Sequence, residues 1–483
     1  MAPKDLRDFL ALMENKGDLL RIEDEVDIHL EMTEIGQQTT RQGGPALLFE
    51  SPRGHTTPVG LNLFGSKERM ASALGVEDLE EIADRLRGYL KPPSGAGLGE
   101  ALGILGKIAH AKRFFPKTIR KAPCQEVVLE GENATLDILP IPTMWPGDAA
   151  PFVCFTQVIT KDPETGTRNV GAYRLQKFDD KTLGMHWQLH KDGKRHQEGA
   201  KKRGERMEVA VALGGPPAAM YAATAPLPPG IDEYLFAGFL QDSPLEMVKA
   251  KSVDLEVPAR AEYIIEGWVD PEETRIEGPF GDHTGYYSHP GPYPVLHLTA
   301  ITHRKNPIYP HILVGKPLQE DWFLGYATER FFLPLIQLLV PEIVDWHFPP
   351  EGVFHNALLV SINKEYAGQA RKVIHAIWGI GMLSMTKLVV VVDGDIDVQN
   401  PSEAVFHALA NTDAARDLIV DTGAIDVLDH STPVEGFGGK VGVDATRGME
   451  GENLVRPWPG QVDMDPKVTE RLQPLLKKLG LIS

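Results

Sequence analysis

Apolar residues recur at helical spacing from the start of the chain. Leu6, Phe9, Leu10 and Met13 share one face, and Gly17 follows the last turn, so the pattern predicts a first helix. Leu19–Val26 predicts a strand, 29–41 a helix and 46–49 a second strand. Residues 91–106 are rich in glycine and proline and predict a mobile loop or cap. They fit the dinucleotide pattern G-x-G-x-x-G in no register. From about 124 the period shortens. Short β-rich runs at 125–129, 152–160, 170–178, Met207–Leu213, 262–269 and 295–303 are separated by turn signals such as Asp162-Pro163-Glu164-Thr165-Gly166. Many short strands joined by polar turns predict a barrel-like antiparallel sheet, interrupted by one helix near 232–240. Beyond about 318 the pattern is α/β: helices at 329–339 and 366–378, and buried strands at Ala357–Ile362 and 388–392. A last helix begins at Asp465-Pro466, with Val468, Leu472, Leu475, Leu476 and Leu479 as an apolar stripe and Pro474 inside it. That stripe needs a partner surface.

Composition narrows the class. At roughly 100–200 residues per domain, 483 residues predict about three folding units. Hydrophobic residues at 42% and charged residues at 24% exclude wholesale disorder. A net charge of −18 makes nucleic acid a poor partner. Cys124 and Cys154 are the only cysteines, without disulfide or zinc spacing, which predicts a reducing compartment. The N-terminus lacks the apolar core of a signal peptide, and 388–392 is far short of the ~20 residues of a membrane helix. The expectation is a soluble cytoplasmic protein, with peripheral membrane contact left open.

Four segments carry candidate chemistry. Glu277 and Asp282 flank Gly278-Pro279-Phe280-Gly281, a sequence suited to a sharp turn that brings two carboxylates to one cleft. Paired carboxylates can share a proton and push their pKa values apart; otherwise Asp282 caps the turn and Glu277 is a solvated strand residue. His283 beside them either shuttles protons or is a structural hydrogen-bonder. In 169–176, Ala172, Arg174 and Gln176 share one face of a strand, where Arg174 suits a substrate carboxylate, a neighbouring Glu or plain solvent. His186 and His190 are four apart, which fits a metal pair or ordinary packing. The loop 223–233 leads into a helix, where backbone N–H groups can hold phosphate and Glu233 either ligates a cation or complements the helix dipole. P-loop, G-x-S-x-G, H-E-x-x-H and C-x-x-C motifs do not occur, which removes the common nucleotidase, serine hydrolase and zinc-protease classes.

Taken together, Asp5-Leu6-Arg7-Asp8-Phe9-Leu10, Gly43-Gly44-Pro45-Ala46-Leu47-Leu48-Phe49-Glu50, residues 277–287 and Gly442-Val443-Asp444-Ala445-Thr446 resemble the UbiD family of reversible decarboxylases, over nearly the whole chain. The first and last motifs look closest to the branch acting on 3-polyprenyl-4-hydroxybenzoate in ubiquinone biosynthesis. The resemblance implies prenylated FMN made by a separate flavin prenyltransferase, a divalent metal (Mn2+ or Mg2+) bridging its phosphate to the protein, and K+. It implies Asn169, His190 and Glu233 as metal ligands, His190 rather than His186. Arg174, Glu277 and Asp282 become the catalytic trio. Cys154, Asn169, Ala172, Arg174, Leu189, His190, Ala223, Thr224, Pro226 and Glu233 fall on the cofactor side. A hard oxygen set with one imidazole suits manganese or magnesium better than zinc. In one unbroken strand Asn169 and Arg174 would face opposite ways, so Asn169 is placed at the strand's entrance.

Three positions depart from the family pattern. Asp282 is one methylene shorter than the Glu of the acrylic-acid decarboxylases, which favours a bulkier aromatic substrate. Cys154 stands where relatives often carry Thr, and Leu189 replaces a polar residue. The implied architecture is a mixed α+β and α/β fold. An N-terminal α/β subdomain (1–118) precedes a flavin-binding split β-barrel (119–312), and a C-terminal α/β domain (313–483) is hinged near 311–320 and makes subunit contacts. The implied activity is non-oxidative decarboxylation of an aromatic acid with release of CO2 by a homo-oligomer, hexamer or dimer. The alternatives are the same chemistry on another aromatic or heteroaromatic acid, or a non-catalytic flavin-binding subunit of a carboxylase complex.

Overall fold

The computed structural model describes residues 1–90, 110–187, 192–228, 230–452 and 456–482. The expected loop or cap at 91–106 lies outside them. The first helix is Leu6–Asn15; Asp5 caps it by accepting from the Arg7 and Asp8 N–H groups, and Leu6, Phe9, Leu10 and Met13 are its buried face. Leu19–Val26 pairs in parallel with Ala46–Pro52, and this small sheet continues through Val59–Leu61 to Tyr309–Pro310. Residues before and after the central β-region thus share one sheet.

The central region is a nine-stranded sheet. Two of its strands differ from their sequence patterns in a way that shapes the site. The apolar run 152–160 divides into Phe152–Val153 and Thr156–Lys161, and the run 170–178 into Arg168–Gly171 and Leu175–Lys177. The halves of each run lie toward opposite ends of the strand order, with Phe152–Val153 and Leu175–Lys177 at one end and Thr156–Lys161 and Arg168–Gly171 at the other. Laid flat, six strand spacings between Leu175–Lys177 and Arg168–Gly171 would span about 29 Å. The linking residues, Ala172 to Arg174, reach at most ~14 Å from Gly171 to Leu175. The sheet must therefore curl until its two ends face each other. No ladder bridges that seam among the described residues. This is the split-barrel arrangement expected for the centre of the chain.

Two long strands, Tyr263–Glu277 and Gly291–His303, form the middle of the sheet. They overrun the predicted 262–269 and 295–303 because 270–277 is mostly charged and 291–294 is Gly-Pro-Tyr-Pro, and neither carries the alternating signal. The C-terminal sheet runs Ile343–His347, Ala357–Ile362, Leu388–Asp393, Phe437–Asp444, Leu418–Ala424, with the middle three parallel. Gln369–Trp378 packs Val373, Ile374 and Ile377 on one face, and Pro401–Asn411 packs Ala404 against Val390 and Val392 on the other. The helix predicted at 329–339 is Glu320–Leu339. Its first half is buried at both polar and apolar positions, including Glu320, Trp322 and Phe323, and so shows no stripe. The tail forms Pro466–Lys478 with Asp465 as its cap, and none of its residues is buried.

Candidate functional site

The seam of the curled sheet carries Arg174. The chain leaves the ladder after Gly171, so Arg174 does not share a strand face with Ala172, as a continuous strand predicts. The segment is pinned instead by side chains and loops. Ala172 N–H donates to Ala223 O at 2.8 Å, and Tyr173 N–H donates to Thr156 Oγ1 at 3.0 Å. Asn169 remains in the Arg168–Gly171 strand, opposite Thr160. The break after it removes the conflict between the facings of Asn169 and Arg174. Cys154 sits in the other crossing of the seam, with its thiol 3.7 Å from Phe152 O.

Glu277 ends the Tyr263–Glu277 strand, and the chain then turns through Gly278-Pro279, whose peptide is cis. The Gly278 N–H donates to Gln176 Oε1 at 2.7 Å. Gly281 passes so close to Trp145 that a Cβ there would lie 2.2 Å from its ring, so only glycine fits this turn. The turn brings Asp282 back to Arg174. Arg174 Nε donates to Glu277 Oε1 at 2.8 Å and Nη2 to Glu277 Oε2 at 3.2 Å, while Nη1 pairs with Asp282 Oδ2. Nη2 also donates to Ser288 Oγ at 3.0 Å, and the guanidinium lies over Phe280, 4.7 Å from the ring centroid. His186 Nδ1 lies 2.9 Å from Arg174 Nη2 and 3.0 Å from Glu277 Oε2, and its ring stacks on Tyr293.

Arg174, both acids, His186, Gln176, Phe280 and Ser288 are buried. Burial pushes the Glu277 carboxyl up, but His186 and Arg174 outweigh it and hold it below the usual range. Burial acts on Asp282 in the same sense and is overcome by Arg174 and His283, which hold it well below the ordinary value. The two acids therefore do not share a proton, as a bare carboxylate pair predicts. A cation stands between them, and both are ionised at rest.

Models of the N-terminal, Rift-related central and C-terminal domains of 3-octaprenyl-4-hydroxybenzoate carboxy-lyase match residues 10–86, 117–317 and 322–445 in that order. The chain belongs to the UbiD family of carboxy-lyases. An uncharacterized protein of Archaeoglobus fulgidus is 50% identical over 99% of both chains. Among solved structures, the UbiD-class enzyme HmfF of Pelotomaculum thermopropionicum, in complex with FMN, superposes with a TM-score of 0.81 at 31% identity, over 96% of this chain and 98% of that one. Vanillic acid decarboxylase of Sedimentibacter hydroxybenzoicus, in closed form, gives 0.85 at 27% identity over 99% of both.

In this UbiD chain Asn169, Glu233 and the loop after Ala223 come together at the same seam. Glu233 opens the helix Glu233–Leu240, and its Oε2 accepts from the Val170 N–H at 3.0 Å, next to Asn169. Asn169 is buried and its Nδ2 has no partner among the described residues. The buried Asn169 amide and a carboxylate held on the next residue's N–H supply hard oxygen donors of the kind a divalent cation takes. The donor chemistry therefore fits the implied metal. Thr224 follows the helix Pro217–Ala222; its hydroxyl donates to Tyr221 O at 2.7 Å, which fixes the loop that continues through Pro226. His190 and Leu189 lie outside the described residues. The sequence reading missed His186, Gln176 and Ser288 as partners of the Arg174 cluster. His186 had a signal, its spacing from His190, and Gln176 had its alternation with Arg174; Ser288 had none.

Proposed function

We propose that this chain is a prenylated-FMN-dependent decarboxylase acting reversibly and without oxidation on an aromatic carboxylic acid, with Arg174, Glu277 and Asp282 at the reacting centre. One observation carries the reading: a buried guanidinium whose Nε and Nη2 are held by Glu277 and whose Nη1 is held by Asp282. Glu277 fixes the plane of the fork. A substrate carboxylate is bound by displacing Asp282 from Nη1, because that contact is the one not reinforced by a second bond to the same acid. Released from the cation, Asp282 becomes a better proton carrier. It then protonates the carbon that CO2 leaves. When CO2 departs, Asp282 regains Nη1 and the resting pairing returns. Bound prenylated FMN supplies the electron sink for C–C cleavage. Asn169, His190 and Glu233 would hold its Mn2+ or Mg2+, with K+ beside it. Thr224, Pro226, Ala223 and Cys154 would border the flavin.

The finer reading takes 3-polyprenyl-4-hydroxybenzoate as substrate, in ubiquinone biosynthesis. It draws on the first and last sequence motifs and on the description of the family models, which name the octaprenyl compound. It includes a homo-oligomer in which the exposed Leu472, Leu475 and Leu479 of the tail helix make subunit contacts. The test is protein co-expressed with a flavin prenyltransferase and screened against aromatic acids for CO2 release and for deuterium uptake into the product ring. Release from 3-prenyl-4-hydroxybenzoate in preference to simple hydroxybenzoates supports the finer reading. A flavin-loaded protein that releases CO2 from none of them overturns the whole of it.

A further inference from the structure

Asp282 has a second partner on the side away from Arg174. Its Oδ1 accepts from the His283 backbone N–H at 2.8 Å and from His283 Nδ1 at 2.9 Å. His283 Nε2 in turn lies 2.7 Å from His355 Nε2, and Asp426 Oδ2 stands 3.9 Å from that same nitrogen. The ring of Phe354 stacks over His283 with centroids 5.1 Å apart. His283 comes from the turn after the central strand, whereas His355 and Asp426 come from connections of the C-terminal sheet. The three side chains are only 12, 15 and 10% exposed, so little water reaches them.

Two imidazole nitrogens 2.7 Å apart must hold one proton between them, one donating and one accepting. His283 Nδ1 faces a carboxylate and donates there. If His283 also donates from Nε2, it is an imidazolium and His355 a neutral acceptor. A metal bound by both nitrogens would keep them roughly 3.3 Å apart in tetrahedral geometry. The observed spacing is that of a hydrogen bond.

We propose that His283 is the proton reservoir for Asp282, and that His355 and Asp426 are positioning residues that keep it charged and aimed. The proposal rests on the decarboxylase reading above. At rest, Asp282 is a carboxylate and His283 an imidazolium. When the substrate carboxylate takes Arg174 Nη1, the Nδ1 proton of His283 passes to Asp282. This leaves a neutral acid and a neutral imidazole. The C–C bond then breaks, CO2 leaves, and the bonding pair ends in the new C–H bond of the ring carbon. The ring carbon takes the proton from Asp282. One proton from solvent restores the imidazolium after product release.

The surroundings agree with these charges. Burial pulls the His283 pKa down, but Asp282, Asp426 and Asp321 outweigh it and raise it above the ordinary value. Burial and the neighbouring His283 push His355 down to about 4, against the pull of Asp426 and Asp429, so it is the neutral acceptor. On the other side Arg174 is held off by the Asp282 carboxylate between them.

The test uses flavin-loaded enzyme with 4-hydroxybenzoate and its 3-prenyl derivative, followed by kcat against pH and by the solvent isotope effect. In the wild type, kcat should fall on the alkaline side as His283 loses its proton. Asp426→Asn, a change of one atom, should move that alkaline limb to lower pH, because it removes a charge that favours the imidazolium. His283→Gln should abolish the limb and lower kcat about a hundredfold while KM and the flavin spectrum hold. An Asp426→Asn limb that does not move overturns the proposal even if His283→Gln fails to fold. So does a His283→Gln enzyme with wild-type kcat, or one that has lost a metal ion present in the wild type. Failure of the wild type to release CO2 or exchange the ring proton overturns the decarboxylase reading itself and the reservoir with it. An active wild type with unaffected variants overturns the reservoir alone.

Discussion

Arg174 and Glu277 meet side by side through two bonds, Nε to Oε1 at 2.8 Å and Nη2 to Oε2 at 3.2 Å, with the Glu277 side chain wholly shielded from solvent. They are 103 positions apart, so the pair ties the seam of the curled sheet to the end of its longest strand. Glu277→Gln would leave Arg174 paired with Asp282 but would break its two-armed bond to a buried carboxylate. It should lower stability by about 1–3 kcal/mol. It should also blur the orientation of Arg174. Urea unfolding checks the first, and the KM for the aromatic acid the second. A variant as stable as the wild type would show that the pair adds nothing net to the fold.

Asp282 is bound to Arg174 by one arm only, and it is the acid nearest to being displaced. Asp282→Asn keeps size and hydrogen bonding but cannot deliver a proton. Flavin should remain bound, seen by its absorbance, while turnover falls about 10²–10⁴-fold. Turnover near the wild-type rate in this variant would sink the role assigned to Asp282.

Glu233→Gln isolates the metal charge, because the amide can still accept from the Val170 N–H. We expect it, like His190→Ala, to lose divalent metal and flavin together, measured by metal analysis and absorbance. A full complement of both in either variant removes that residue from the ligand set.

Glu320 contributes a pH dependence opposite in sign to that of a paired acid. It is completely buried, and although Asn62 and Phe64 N–H groups donate to it, burial dominates and pushes its pKa up from 4.5 to about 7. The folded chain keeps this proton to about pH 7, whereas the unfolded chain releases it near 4.5. Stability should then fall as pH rises between those values, by about 3 kcal/mol from this group, and level off above. Denaturation midpoints at several pH values read the slope, which Glu320→Gln should flatten.

Neither cysteine should be reactive. Burial pushes Cys124 up to about 12 and Cys154 well above its ordinary value. The thiolate is the nucleophile, so both should resist iodoacetamide at pH 8 until the chain is unfolded. Rapid labelling of Cys154 in the native protein would mean that the seam opens.

Much of the scaffold was legible in the chain because periodicity reports burial on one face. The Leu6–Met13 stripe, Leu19–Val26, Met207–Leu213 and Ala357–Ile362 all form where the pattern places them. The pattern failed where burial is not one-sided, as in the first half of Glu320–Leu339, and where strands leave the ladder without losing their apolar character, as at Cys154 and Ala172–Arg174. Glu277 and Asp282 were legible as a pair because a turn of small residues lies between them. That they answer to one guanidinium was not.

The sequence by itself determined which side chains were available: a family pattern, two acids on a tight turn, an arginine in an apolar run, and an amide and a carboxylate near a cofactor loop. Only the tertiary structure decided how they are charged. The curl of the sheet sets Arg174 between Glu277 and Asp282, and the C-terminal sheet sets His355 and Asp426 behind His283. Protonation depends on distances of a few ångströms and on shielding from water, and residues 72 positions apart acquire both only when the chain folds.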